Sequence, residues 1–432
     1  MQKCKEKIMT NDFKKLIVTT PETEQRIRDG IEQNRKGNFV LKFPKEYGGK
    51  KVQVKLKNHK FRFGANLFML DEFIDDEKKN GIYREKFKDV FNLATLPFYW
   101  NSTEPEEGKT RYHKDSERMY RRPAIDLCME YCLENGIEPR EHSLCYTYAY
   151  PEWLVGKTFE EVKPYLERRM QEISTRYADK IPTIEVTNEM FWEQCKFEFY
   201  FKPEEWFLWC YDMAEKYFPN NILAVNDGVT GHEVDRDKYY DYVKKALADG
   251  CRMDMMGLQF HMFFFKEQYF EKTRFFYNLP ELFKLLDRYA SLGLPLEITE
   301  ITIPAYYDDP EKEEEQADIL EKLYSLWFSH PAMDKIIYWN TVEGYAYGAE
   351  PGDMTQGENY YRGGLLRFDM SEKPAFKRLK KLIKVIWTTN ETVTVDENGS
   401  ASFRGFYGDY EITVDGKTYT VNLDENDKEV ML

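Results

Sequence analysis

Residues 183–190 read TIEVTNEM, a run of Ile, Val and Thr that ends in an amide and a carboxylate, Asn188 and Glu189. Such β-branched density predicts a strand buried on both faces, the kind found in parallel sheets. Seven other runs share its character: FRFGANL (61–67), VFNLATL (90–96), EHSLCYTY (141–148), NILAVND (221–227), MDMMGLQFHM (253–262), LPLEITEITI (294–303) and KIIYWNTV (335–342). Amphipathic stretches lie between them. In AIDLCMEYCLENG (124–136), Ile125, Cys128, Met129 and Cys132 keep helical spacing and Gly136 falls where a helix ends. In ELFKLLDRYASLG (281–293), Leu282, Leu285, Leu286 and Tyr289 share one face. Strands alternating with helices predict a parallel sheet, and eight units predict a closed α/β (β/α)8 TIM barrel. An open doubly wound sheet would favour a Gly-rich phosphate loop after the first strand, and FRFGANL has none.

The flanks read as β additions to this barrel (61–387). Within residues 1–60, NFVLKF and KVQVKL alternate around YGGK and predict a hairpin over 38–56. Residues 388–432 are strand and turn, with Asn398-Gly399 and Asp415-Gly416 as two-residue hairpin signals. A barrel chain enters and leaves at the bottom face, so both flanks are expected there as a small β module.

Composition narrows the function. The chain has 432 residues, 42% hydrophobic and 32% charged, which is enough for a large soluble core. A formal net charge of −14 argues against a binder of nucleic-acid phosphates, and no apolar run is long enough to span a bilayer. The first residues carry charge but no apolar signal core. Seven cysteines (Cys4, Cys128, Cys132, Cys145, Cys195, Cys210, Cys251) lack paired spacing. Together these predict reduced thiols in a cytoplasmic protein. His59, His113, His232 and His330 have no metal-ligand spacing, so neither a metal nor another cofactor is expected. Aromatic residues reach 16%, a share that bulky cores use and that sugar clefts also use for stacking.

In a barrel, catalytic groups project from the C-terminal ends of strands. Glu189 ends the fourth candidate strand and Glu300 lies late in the seventh, so both face one mouth. An isolated Glu among 76 acidic residues would be an ordinary surface group. Two carboxylates across a cleft are what glycoside hydrolysis needs. Glu185 and Glu297 occupy the same two strands, but nearer their starts and hence deeper.

Several segments then resemble glycoside hydrolase family 10, the endo-β-1,4-xylanase family, in order and in phase. EVTNEM is similar to its D-V-V-N-E segment and ITEITI to I-T-E-L-D-I. EHSLCYTYAYPEWL (141–154) resembles G-H-T-L-V-W-H-S-Q-T-P-S-W-F, and GLQFHM (257–262) resembles G-M-Q-G-H-W. YWNTVEGYAY (338–347) resembles W-G-V-x-D-x-Y-S-W, and GGLLRFDMSEKPAF (363–376) resembles L-L-F-D followed by K-P-A-Y. The resemblance implies a retaining mechanism with Glu189 as acid/base and Glu300 as nucleophile. It implies that Asn188 binds the neighbouring sugar hydroxyl, that His261 holds the nucleophile with Gln259 lining the same floor, and that Trp339 forms an apolar wall under the reacting sugar. His142 fits either a core histidine or a site residue.

Departures from the family pattern cluster where the sugar is read. The family's E-N-x-M-K-W run, which grips a xylose, falls on TLPFYW (95–100), leaving Trp100 without the polar grip. The second His of the third strand falls on Thr147 and the preceding Trp on Tyr146, while the strand-eight motif supplies Tyr345 and Tyr347. Lost hydroxyl partners shift specificity strongly. The expected partner is therefore a xylo-oligosaccharide or a related β-glycoside, with neither nucleic acid nor membrane. Two alternatives remain open: a non-catalytic sugar-binding barrel, and a retaining glycosidase of different glycone specificity.

Overall fold

The computed structural model describes residues 16–74, 76–190, 203–230 and 233–432; Cys4, Cys195 and His232 lie outside them. A helix, Pro21–Arg35, precedes β1 (Lys36–Lys42) and β2 (Lys51–His59). Eight parallel strands then close a barrel: β3 (Arg62–Asn66), β4 (Leu93–Pro97), β5 (Glu138–His142), β6 (Thr183–Asn188), β7 (Ile222–Gly228), β8 (Met255–His261), β9 (Leu296–Thr302) and β10 (Met333–Tyr338). β10 returns to pair with β3 from Lys335↔Arg62 to Tyr338↔Ala65. All residues of β6 and β9 are buried, as strands between a packed interior and an outer helical layer must be. The two amphipathic stretches form helices Ile125–Glu134 and Leu279–Ala290, and Leu282, Leu285, Leu286 and Tyr289 are all buried. Gly136 follows the first of these helices at φ 63°.

The third run is displaced. β5 ends at His142, and Thr147–Ala149 is a single 3-10 turn. Backbone pairing with β6 persists past the strand end, as Leu144 N donates to the Glu185 carbonyl (3.0 Å) and Cys145 N to that of Val186 (3.1 Å). Residues 143–145 keep β contacts that their composition favours, while the chain is already turning over the barrel mouth.

β11 (Asn390–Thr394), β12 (Ser400–Phe406), β13 (Gly408–Val414), β14 (Lys417–Leu423) and β15 (Glu429–Met431) complete the chain with β1 and β2. They form two sheets, β12-β1-β15 and β11-β2-β13-β14, each mixing strands from both flanks. The hairpin expected over 38–56 does not form, because β1 and β2 belong to different sheets. Their apolar faces, Phe39 and Leu41 on one, Val52, Val54 and Leu56 on the other, are buried between the sheets instead of side by side. Alternation fixes which face is buried but not which edge pairs. Asn398-Gly399 likewise links β11 to β12 across the sheets. Gly399, at φ 81°, lies so close to β1 that a Cβ would come within 2.3 Å of the Phe43 carbonyl oxygen. Asp415-Gly416 does close a hairpin, with Val414 opposite Lys417. This module meets the barrel at the N-terminal strand ends, away from the mouth: the Asn92 amide bonds His59 and Phe61 carbonyls, and Trp387 stacks on Phe63 at 5.7 Å.

Candidate active site

Four glutamates on β6 and β9 form two tiers. In the lower tier Arg140, from β5, reaches Glu185 Oε2 (2.7 Å) and both oxygens of Glu297 (2.5 and 3.1 Å), with all three side chains at most 1% exposed. His142 Nδ1 adds a contact to Glu185 Oε1 at 2.8 Å. Burial acts to raise the Glu185 pKa, but His142 and Arg140 outweigh it and hold the carboxyl below its ordinary range. This tier is charge-compensated and closed to solvent.

The upper tier is reached through a change of phase on each strand. Glu185 pairs with Ala224 and Asn188 with Asn226, so one extra residue of β6 is bulged out between them. On β9 the same happens between Ile298, opposite Leu258, and Glu300, opposite Gln259. Glu297 and Glu300 therefore both point inward although three residues apart, which strict alternation forbids. Glu189 then follows Asn188 in left-handed backbone, φ 51°, which brings two successive side chains into the cleft.

One amide gathers the tier. Gln259 Nε2 stands 3.1 Å from Glu189 Oε1, 3.0 Å from Glu300 Oε1 and 3.0 Å from Asn188 Oδ1. Those two carboxylate oxygens can be no farther apart than the sum of their distances to that nitrogen, about 6 Å. That ceiling accommodates the roughly 5–5.5 Å of retaining pairs. Asn226 Nδ2 bridges Glu300 Oε1 (2.9 Å) and Asn188 Oδ1 (3.0 Å), and Asn226 Oδ1 accepts from Thr299 (2.7 Å). Gly257 makes room for this bridge, since a Cβ there would lie 2.8 Å from Asn226 Oδ1. His261 Nε2 lies 3.0 Å from Glu300 Oε2, while its Nδ1 faces the Thr302 hydroxyl at 2.9 Å. Tyr146 donates its hydroxyl to Glu189 Oε2 at 2.8 Å. Burial first, then the charge of Glu300, raises the Glu189 pKa, which suits a proton donor.

The cleft holds about 520 Å³ and is lined by Asn188, Glu189, Gln259, His261, Glu300, Trp339, Tyr146 and Tyr347, among others. Three expected site residues lie elsewhere. Trp100 is buried behind the wall, its Nε1 donating to Glu104 at 2.9 Å and its ring against Tyr150 and Trp153, because the helix Trp100–Thr103 turns it away. Tyr345 is buried between Phe73 and Phe368, with its hydroxyl on Lys79 Nζ. His142 stands below the floor, with both ring nitrogens occupied by Glu185 and by the Tyr99 hydroxyl (2.9 Å). Burial would lower its pKa, yet Glu185 outweighs this and the net direction is upward.

Sequence reasoning missed Asn226, Tyr99 and Arg122. Asn226 had a usable signal, since NILAVND ends in polar residues as TIEVTNEM does. Tyr99 and Arg122 had none, because they meet only through the loop after β4. Among the described residues no three His, Cys, Asp or Glu side chains gather as a metal site, and no helix is long and apolar enough to cross a membrane.

A sequence model of glycosyl hydrolase family 10 matches residues 67–382. The chain belongs to glycosyl hydrolase family 10. Within and around the family it is similar to the anti-sigma-I factor RsgI6 of Acetivibrio thermocellus, 26% identical over 93% of this chain and 48% of that protein. It is also similar to endo-1,4-beta-xylanase 1 of Arabidopsis thaliana, 24% identical over 90% of this chain and 38% of that one. The chain thus spans about half or less of these two relatives. Among solved structures, xylanase 10B of Thermotoga petrophila in complex with xylobiose shares the fold, with a TM-score of 0.59 and 20% identity over 75% of this chain and 94% of that one.

Proposed function

We propose that this family 10 barrel is a retaining β-glycosidase acting on short β-linked oligosaccharides or related glycosides. Glu300 attacks the anomeric carbon while Glu189 gives its proton to the leaving oxygen. The aglycone departs, and an ester joins Glu300 to the sugar. Glu189, now a carboxylate, takes a proton from water as that water's oxygen displaces Glu300 and restores both groups. Gln259 and Asn226 keep the nucleophile aimed, and Tyr146 orients Glu189. The observation that carries the reading is the single Gln259 nitrogen within 3.1 Å of both carboxylates, with no Lys or Arg paired to either among the described residues. The substrate reading is finer. TLPFYW offers no xylose grip, and Tyr146, Thr147 and Tyr347 replace family residues, which favours a glycone other than plain xylose.

A second reading, a sugar-binding barrel without turnover, is favoured by the similarity to an anti-sigma factor. A screen of aryl β-glycosides separates the two. Release of the phenol by the wild type and not by Glu300→Ala supports hydrolysis. Saturable sugar binding with no release from any glycoside supports the second reading.

A further inference from the structure

The cleft wall holds a guanidinium that this reaction does not use. Arg121 and Arg122 lie on the loop between β4 and the helix Ile125–Glu134, and both line the cleft. Arg121 is committed to the fold: it is buried, in left-handed backbone at φ 60°, and donates to the Tyr345 carbonyl and to Asn340 Oδ1. Arg122 is not. Its guanidinium carbon lies over the aromatic wall, 4.2 Å from the Tyr99 ring centroid and 5.2 Å from that of Phe68. Among the described residues its side chain makes one hydrogen bond, Nη1 to the Arg121 carbonyl at 2.9 Å. Among the described residues no carboxylate pairs with it. Glu358, whose charge it feels, is held by Asn340 Nδ2 at 2.6 Å.

A half-buried arginine with most of its fork unused is costly unless a ligand completes it. Burial pushes its pKa down to about 10, so the charge persists at neutral pH. A guanidinium fork matches a planar carboxylate with two parallel hydrogen bonds, a geometry that neutral hydroxyls do not need. Its position reaches the sugar seat, because Phe68 packs on Trp339 at 5.2 Å and Tyr99 binds His142, whose ring meets Trp339 at 5.4 Å. Arg121 adds a second positive charge to the wall.

We propose that Arg122 recognises a carboxylate on the sugar seated over Trp339, so that the substrate class is a β-linked uronic acid. The proposal rests on the glycosidase reading for the sugar's placement, but its test needs no turnover. Phenyl 1-thio-β-D-glucuronide and phenyl 1-thio-β-D-glucoside differ only in bearing a carboxylate or a hydroxymethyl group, and their sulfur link resists hydrolysis. By calorimetry at neutral pH and low salt, the acid binds the wild type at least about 10-fold more tightly. Arg122→Met removes that preference, and Arg122→Lys, which keeps the charge without the fork, retains part of it; thermal melts report whether each variant folds. Equal or tighter binding of the glucoside, no measurable binding of the acid, or a preference that survives in folded Arg122→Met or is wholly unchanged in Arg122→Lys overturns the proposal. Acid binding without turnover of any aryl glycoside would break the hydrolase reading alone. Turnover of neutral glycosides with indifference to the carboxylate would break this one alone.

Discussion

The same two strands carry two pairs of glutamates in opposite electrostatic settings. Glu185 and Glu297 clamp Arg140 in a buried interior, where His142 gives Glu185 a second partner. One bulge higher, Glu189 and Glu300 share a neutral amide and His261 reaches Glu300, and among the described residues no Lys or Arg pairs with either. A carboxylate that has its cation contributes to stability. A carboxylate pair without one holds a proton and an unspent charge, the combination that double displacement uses.

Substitutions can break this contrast, and their effects should fall in order. Glu300→Ala is expected to lower kcat by about 10⁴-fold or more with an unchanged melting curve; near-normal turnover would remove Glu300 from the mechanism. Glu189→Ala should cost about 10²–10⁴-fold on aryl glycosides with poor leaving groups. Its glycosylation step should suffer far less with a dinitrophenol, which needs no proton, so equal losses on both would deny its role as the acid.

In the lower tier the readout moves from rate to stability. Arg140→Met strands two buried carboxylates and should cost about 3–5 kcal/mol in denaturant unfolding. Because the Glu185 pKa is lowered in the folded state, its contribution is present above the ordinary carboxylate range and fades as pH falls through its depressed folded value. The wild type should therefore lose stability on acidification below about pH 4.5 more steeply than Arg140→Met. Equal acid sensitivity would mean that Arg140 does not set the tier.

The smallest expected effect is on tuning. Tyr146→Phe removes a hydrogen bond to the Glu189 carboxylate and so raises its pKa further. The alkaline limb of kcat/KM should move up by about one pH unit, with kcat near the optimum reduced less than about 10-fold. An unmoved limb would show that Tyr146 does not act through Glu189.

The barrel was legible because eight β-branched runs and their intervening helical spacings repeat one design, and the catalytic candidates because polar residues interrupt buried strands at their ends. What was not legible is instructive. Strict alternation puts Glu185 and Glu189 on one face, yet the bulge makes Glu185 and Asn188 the inward pair and left-handed Glu189 an addition. A bulge adds one residue without altering composition, so no pattern announces it. Trp100 matched a family position by alignment, but its own helix turns it into the wall. Tyr99, one residue earlier, takes the place at the cleft. The flanking strands showed their apolar faces and hid their partners, because partner choice depends on edges far away in the chain.

The central claim, that Glu189 and Glu300 act as a retaining pair, is tested most directly by the anomer first released. Proton NMR of the sugar formed from an aryl β-glycoside, followed before mutarotation, should show the β-anomer. A first-formed α-anomer would contradict the account.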